Sequence, residues 1–166
     1  MPRKKQAAFA ALNLVRKMAP RIRDIQLLVV DVDSRKGPNK DLPPTTKFPG
    51  GDEEPKDMGD PRFTANRELY EETGLRWSEG IFPHRVHRVH RVQVSRKHFR
   101  VGYTLLYEEC EGELRATPTQ GTKGTVSPGY WMTVEDLREQ DKLHQNHSEA
   151  LNDFVQWAMD DLGLQY

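Results

Sequence analysis

Gly50-Gly-Asp-Glu-Glu-Pro-Lys-Asp-Met-Gly-Asp60-Pro-Arg-Phe-Thr-Ala-Asn-Arg67-Glu68-Leu-Tyr-Glu71-Glu72-Thr-Gly74-Leu75 is the stretch around which the chain is organised. Its second half is punctuated as a short helix: Asp60 suits the N-cap, Pro61 the first helical position, and Gly74 with Leu75 the stop. Glu68, Glu71 and Glu72 then stand at i, i+3 and i+4, on one side of that helix. Three carboxylates so close repel one another and call for a cation. A hard divalent ion such as Mg²⁺, which prefers carboxylate and water oxygens, suits them, with Mn²⁺ as a second choice. Arg67, four residues before Glu71, is spaced to orient one carboxylate. Leu69, Ala65 and either Phe63 or Tyr70 supply the apolar face.

A Glu-Glu pair alone is most often a solvated surface feature. Here it sits in Arg67-Glu68-Leu69-Tyr70-Glu71-Glu72-Thr73-Gly74-Leu75, which resembles the C-terminal part of the Nudix box, and Phe48-Pro49-Gly50-Gly51 resembles the loop that opens it. The front half departs from the pattern. In the family the first box Gly stands about fourteen positions before the Arg and a Glu about eight before it. Here Gly51 is sixteen before Arg67 and Gly59 occupies the acidic position. The loop thus carries an insertion over 54–58, with Asp60 or Asp57 as the nearest acidic substitute.

Working outward, 166 residues make one ordinary domain with a single substantial core. The longest apolar run, 25–32, is strand-sized, and no run is long enough for a bilayer helix. Cys110 is the only cysteine, which excludes an intrachain disulfide and a thiolate zinc cluster and fits a reducing compartment, the cytoplasm. Formal net charge is zero, so no chain-wide attraction to nucleic acid is expected.

Towards the N-terminus, 25–33 reads as a buried central strand and 34–46 as a Pro- and Gly-containing loop. Residues 1–23 read as a basic helix or extension, with the alanine-rich part helical up to Pro20, ahead of a domain over 24–166. Towards the C-terminus, two strands, Trp77 to Ser95 and His98 to Glu109, turn near Arg96-Lys97. The first contains the triplet repeat His84-Arg85-Val86-His87-Arg88-Val89-His90-Arg91-Val92, whose period of three puts basic residues on both faces of any strand. Arg85 and Arg88 in this repeat, and Lys123 in the loop 117–128, are candidate phosphate-binding residues. The acids Glu108, Glu109, Glu111 and Glu113 follow the second strand. Tyr130-Trp131-Met132 reads as a last strand, Thr133 as an N-cap, and Ser148 to about Leu162 as a final helix with Gly163 as its stop.

The resemblance implies an α/β fold, the Nudix α/β/α sandwich with a mixed β-sheet, and hydrolysis of a nucleoside diphosphate linked to another group. It implies metal ligation by Glu68, Glu71, Glu72 and the Gly51 or Gly50 carbonyl. Glu68 is a ligand or the general base, Glu71 belongs to the catalytic set with it, Arg67 positions them, and one of the acids after the second strand can complete the site. The expected substrate is a nucleotide or other polyanionic phosphate: a dinucleoside polyphosphate, a nucleoside triphosphate, an RNA 5′ end or a diphosphoinositol phosphate. A homodimer is left open as a partner state. The alternative reading is a catalytically weak or inactive Nudix domain that binds nucleotide or RNA.

Overall fold

The computed structural model describes residues 7–33, 44–78, 86–121, 124–143 and 145–166. In chain order these form β1 (Ala7–Val15), β2 (Gln26–Asp33), β3 (Thr45–Lys47), β4 (Gly50–Asp52), α1 (Pro61–Thr73), β5 (Leu75–Trp77), β6 (Arg88–Gln93) and β7 (His98–Leu106). They continue with β8 (Cys110–Gly112), β9 (Thr119–Gly121), β10 (Gly124–Val126), β11 (Tyr130–Thr133), α2 (Val134–Glu139) and α3 (Gln145–Asp160). Nine strands make one mixed sheet in the order β6-β7-β1-β2-β10-β9, with β4 on β1 and with β3 and β11 on β2; β5 and β8 form a separate pair.

The alanine-rich segment is a strand, not the helix its composition suggests. β1 runs parallel to β7 along all nine residues, while its other edge pairs antiparallel with β4 and then β2. Ala8, Ala10, Leu12 and Leu14 face one core, shared with Ala65 and Leu69 of α1; Val15 faces the other, shared with Phe154 and Ala158 of α3. Both faces are covered, so no polar alternation marks the strand, and small side chains that favour a helix in isolation serve here because neighbours approach closely. β2 divides likewise, with Leu28 in the α1 core and Leu27 and Val29 in the α3 core. This is the α/β/α sandwich with its mixed sheet.

β6 keeps the expected two-faced basic pattern. Arg88, His90 and Val92 pair with Thr104, Gly102 and Arg100 of β7, on the α3 side. Val89, Arg91 and Gln93 lie on the α1 side, where the Arg91 guanidinium covers the Phe99 ring at 4.0 Å. The segment from Trp77 to Ser95 is not one continuous strand: β5 ends at Trp77 and β6 begins at Arg88. The last helix starts at Gln145, before the expected Ser148, and ends at Asp160; Gly163 follows at φ 66° as the Leu164 amide returns to the Ala158 carbonyl. Cys110 opens β8, where burial pushes its thiol up to about 12, as befits a structural cysteine.

Candidate active site

α1 begins and ends where its sequence punctuation puts it. The Asp60 carboxylate accepts the Arg62 amide at 3.0 Å, Pro61 is the first helical residue, and Gly74 takes φ 87° while its amide bonds the Tyr70 carbonyl at 2.9 Å. The docked face differs from expectation. Thr64, Ala65, Leu69, Glu72 and Thr73 are buried, whereas Phe63 and Tyr70 are exposed. Arg115 covers the Tyr70 ring and donates from Nη1 to the Tyr70 and Glu71 carbonyls, both at 2.7 Å, which closes the helix C-terminus.

Between Gly51 and α1, the inserted loop makes one short helical turn, Pro55–Asp57, and then passes through left-handed Met58 and Gly59. That path turns Asp57 inward until it is 2% exposed. Its carboxylate accepts the Glu54 amide at 2.9 Å and the Thr64 hydroxyl at 3.0 Å, and it receives Arg67 through two bonds, Nε at 2.9 Å and Nη2 at 3.0 Å. Burial pushes this carboxyl upward, but the Arg67, Glu54 and Thr64 bonds outweigh it and hold the group below the usual aspartate range. Asp57 is therefore the acid that meets Arg67, and Asp60 is the helix cap.

Arg67 also reaches forward. Nη1 contacts Glu68 at 2.9 Å and Glu71 at 3.1 Å, and Nη2 donates to the Asp52 carbonyl at 2.9 Å. One planar guanidinium thus ties the loop to two of the three helix carboxylates. Asp57 bonding raises the Arg67 pKa further, so it stays a fixed cation.

Glu72 turns toward the opening glycines. Its Oε1 accepts the Gly50 amide at 2.7 Å and Lys47 Nζ at 3.1 Å, its Oε2 lies 2.8 Å from the same ammonium, and Lys47 Nζ donates to the Gly50 carbonyl at 2.6 Å. Burial raises the Glu72 carboxyl above the ordinary range against the opposing pull of Lys47 and the Gly50 amide. Glu68 is raised too, first by burial and then by the Glu72 charge. The two glycines are required for contact: a Cβ on Gly51 would stand 2.4 Å from Glu68 Oε1, and one on Gly50 would stand 2.4 Å from the Ala10 carbonyl. Gly51 Cα therefore packs directly on the Glu68 carboxylate. Glu71 is the most exposed of the three, with Lys56 at 3.7 Å.

Sequence reasoning missed three supports: Lys47, Arg115 and His147. Buried His147 at the start of α3 accepts the Phe48 amide on Nδ1 at 3.1 Å and packs against Phe9 and Phe48, so α3 pins the glycine loop from the far side. A lone His in a C-terminal helix carries no sequence signal for that bond. Arg115 and Lys47 sit far from α1 in sequence or read as ordinary surface cations.

Of the expected substrate cations only Arg88 is among the described residues, and it pairs with an acid of α3 and not with the glutamates of α1. Arg88 lies on the α3 side of the sheet and pairs with Asp153 at 3.0 Å, with His90 Nδ1 3.2 Å from the same carboxylate; buried Arg100 pairs with Glu149 at 2.8 Å. Acids of α3 thus answer the inward basic row. Arg85 and Lys123 lie outside the described residues. Of the later acids, buried Glu109 accepts the Leu106 amide at 2.8 Å and meets His87 Nε2 at 2.7 Å, and Glu111 takes the Ser78 hydroxyl at 2.9 Å.

The donor set at α1, carboxylates beside backbone carbonyls, has the hard-oxygen chemistry that Mg²⁺ and Mn²⁺ take. Among the described residues no three His, Cys, Asp or Glu side chains converge into a ready cage. Arg67 draws Glu68 and Glu71 to one end while Lys47 holds Glu72 at the other.

The solved structures that share this architecture include the E. coli ORF135 protein, 18% identical, with a TM-score of 0.58 and 95% and 94% of the two chains covered. Another is the NUDIX domain of Shewanella oneidensis NrtR complexed with ADP ribose, 19% identical, with a TM-score of 0.55 and 96% and 90% covered. A third is a bifunctional NMN adenylyltransferase/ADP ribose pyrophosphatase from Francisella tularensis, complexed with AMP and a Mn ion. It is 13% identical with a TM-score of 0.59; 94% of this chain aligns, spanning 43% of that one. At such identities the likeness concerns the fold. A search of curated protein sequences gives no significant match. The sequence itself matches the family described as NUDIX domain over residues 9–154, which takes in most of β1, the glycine loop, α1 and most of α3, and this chain belongs to that family.

Proposed function

We propose that this Nudix pyrophosphohydrolase works at the Glu68–Glu71–Glu72 face of α1, with a divalent ion, Mg²⁺ or Mn²⁺, and cleaves the pyrophosphate linkage of a nucleoside diphosphate derivative. The observation that carries the reading is the Asp57–Arg67 latch. A loop that has diverged in length still delivers a buried acid to Arg67, and Arg67 still orders Glu68 and Glu71. An interaction module that had dropped catalysis would have no use for mutually repelling acids kept in register.

Glu68, Glu71, Glu72 and the Gly51 carbonyl would hold the ion. When bound it supplies neutralising charge for the pyrophosphate and makes a coordinated water more acidic. Arg67 holds Glu68 and Glu71 to one guanidinium nitrogen and so fixes one relative to the other. Glu68, ordered by Arg67, serves as a ligand or accepts a proton from the attacking water as general base. Gly51, having no side chain, lets Glu68 reach the loop backbone.

The substrate class is supported by this site and by proteins of like fold whose structures hold ADP ribose or AMP with Mn. Among the described residues Arg88, one of the cations expected to meet a phosphate chain, is instead paired to Asp153. The test is a hydrolysis panel of ADP-ribose, dinucleoside polyphosphates and nucleoside triphosphates with Mg²⁺ or Mn²⁺, run on the native chain, Glu68→Gln and Glu71→Gln. One compound class should be cleaved, with each substitution lowering kcat/KM by at least about 100-fold, the scale for a positioned acid–base group. Cleavage unchanged in both variants would move the chemistry away from α1.

A further inference from the structure

We propose that the Lys47 ammonium is a resident cation at the Glu72–Gly50 end of the site, and that a divalent ion must displace it before Glu72 can serve as a ligand. The inference rests on the metal-hydrolase reading above and adds a competitor to it.

An ammonium has three donors and no acceptor. Here it donates to the Gly50 carbonyl at 2.6 Å and to Glu72 Oε1 at 3.1 Å, and it lies 2.8 Å from Glu72 Oε2, so both Glu72 oxygens and the Gly50 carbonyl face the ammonium. These are hard oxygens of the kind a Mg²⁺ or Mn²⁺ ion requires. Two cations sharing one buried carboxylate repel each other strongly where water is scarce, and the Lys47 and Glu72 side chains are only 17% and 9% exposed. Occupancy is therefore exclusive. The Lys47 backbone is fixed by β3, paired with Val30 of β2, but its four-carbon stem is flexible enough to withdraw. Glu68 and Glu71 answer to Arg67 instead, so exchange at Glu72 leaves their ordering intact. Without metal, Lys47 keeps Glu72 neutralised and the glycine loop closed. With metal, the same lysine lowers the apparent affinity at the Glu72 end.

Mn²⁺ titration followed by electron paramagnetic resonance, with no substrate present, reads this directly. The proteins are the native chain, Lys47→Met, Lys47→Gln and the double variant Lys47→Met/Glu72→Gln. Near-UV circular dichroism checks each fold, and the Gln variant, which can still donate to the Gly50 carbonyl, covers the case in which Met at this position fails to fold. Removing the ammonium should tighten Mn²⁺ binding at least tenfold, and the double variant should lose that gain. Affinity unchanged or weakened in the single variants, with the native chain binding Mn²⁺, would overturn the Lys47 role and leave the metal-hydrolase reading standing. An absence of Mn²⁺ binding in all four proteins would overturn both.

Discussion

Arg67 brackets the candidate site: on one side it holds Asp57, sunk in the loop, and on the other the Glu68 and Glu71 carboxylates. Asp57→Asn keeps the shape of that buried group but removes its charge. It should cost about 3 kcal/mol in urea denaturation, the scale for breaking a buried pair on one side, and reduce kcat/KM about tenfold or more because Glu68 and Glu71 lose their bracket. Gly51→Ala should act on function more than on fold. The added methyl meets the Glu68 carboxylate at 2.4 Å, so kcat should fall at least tenfold for about 1–3 kcal/mol of overpacking. The carboxyl groups also set a pH signature. Glu68 is raised above its ordinary 4.5, so in metal-free protein its contribution to stability is present at low pH and is lost as pH rises through the folded value. Glu68→Gln should therefore flatten the decline in stability above the ordinary glutamate range, measured as Tm against pH with chelator present. Asp57 is lowered and behaves oppositely, its contribution lost as pH falls through its folded value.

At the scale of elements, α1 carries its own boundaries, and Asp60, Pro61 and Gly74 were legible because capping is local chemistry. Its C-terminus has a second guard that only the fold supplies. Arg115→Ala removes two bonds to helix-end carbonyls and should lower stability by about 1 kcal/mol, seen as a drop in Tm, with KM little changed. The glutamate face was legible for the same local reason, since i, i+3 and i+4 spacing is fixed once a helix is granted. β1 was not legible. A central strand covered on both faces loses its period-two signal, and alanines read as helix until the neighbouring β7 and β4 are known. Phe63 and Tyr70 misled for a related reason: the docked face of α1 includes Thr64, Thr73 and Glu72, polar residues whose partners lie far away in sequence. Likewise the basic character of β6 and β7 could be read, but not the pairing of Arg88 with Asp153 and of Arg100 with Glu149, acids of a helix about fifty or more residues later.

Across the whole molecule, one sheet separates two cores, and β1 and β2 contribute to both. The glycine loop is held between them: Gly50 and Gly51 pair with Ala11 and Ala10 of β1, Glu72 of α1 grips the Gly50 amide on one side, and His147 of α3 grips the Phe48 amide on the other. Residues 7–15 of the N-terminal segment thus lie inside the sheet, paired along their length with β7. Deleting residues 1–15 should abolish cooperative unfolding and near-UV circular dichroism, whereas an appendage would leave both intact. The central claim, that the α1 carboxylates are the working site, is tested most directly by anomalous diffraction from crystals of the native protein soaked in Mn²⁺. The account predicts a manganese peak between α1 and the glycine loop, within coordination distance of Glu68 and Glu71. A peak elsewhere, for example at the His87–Glu109 pair, with none at α1, would contradict it.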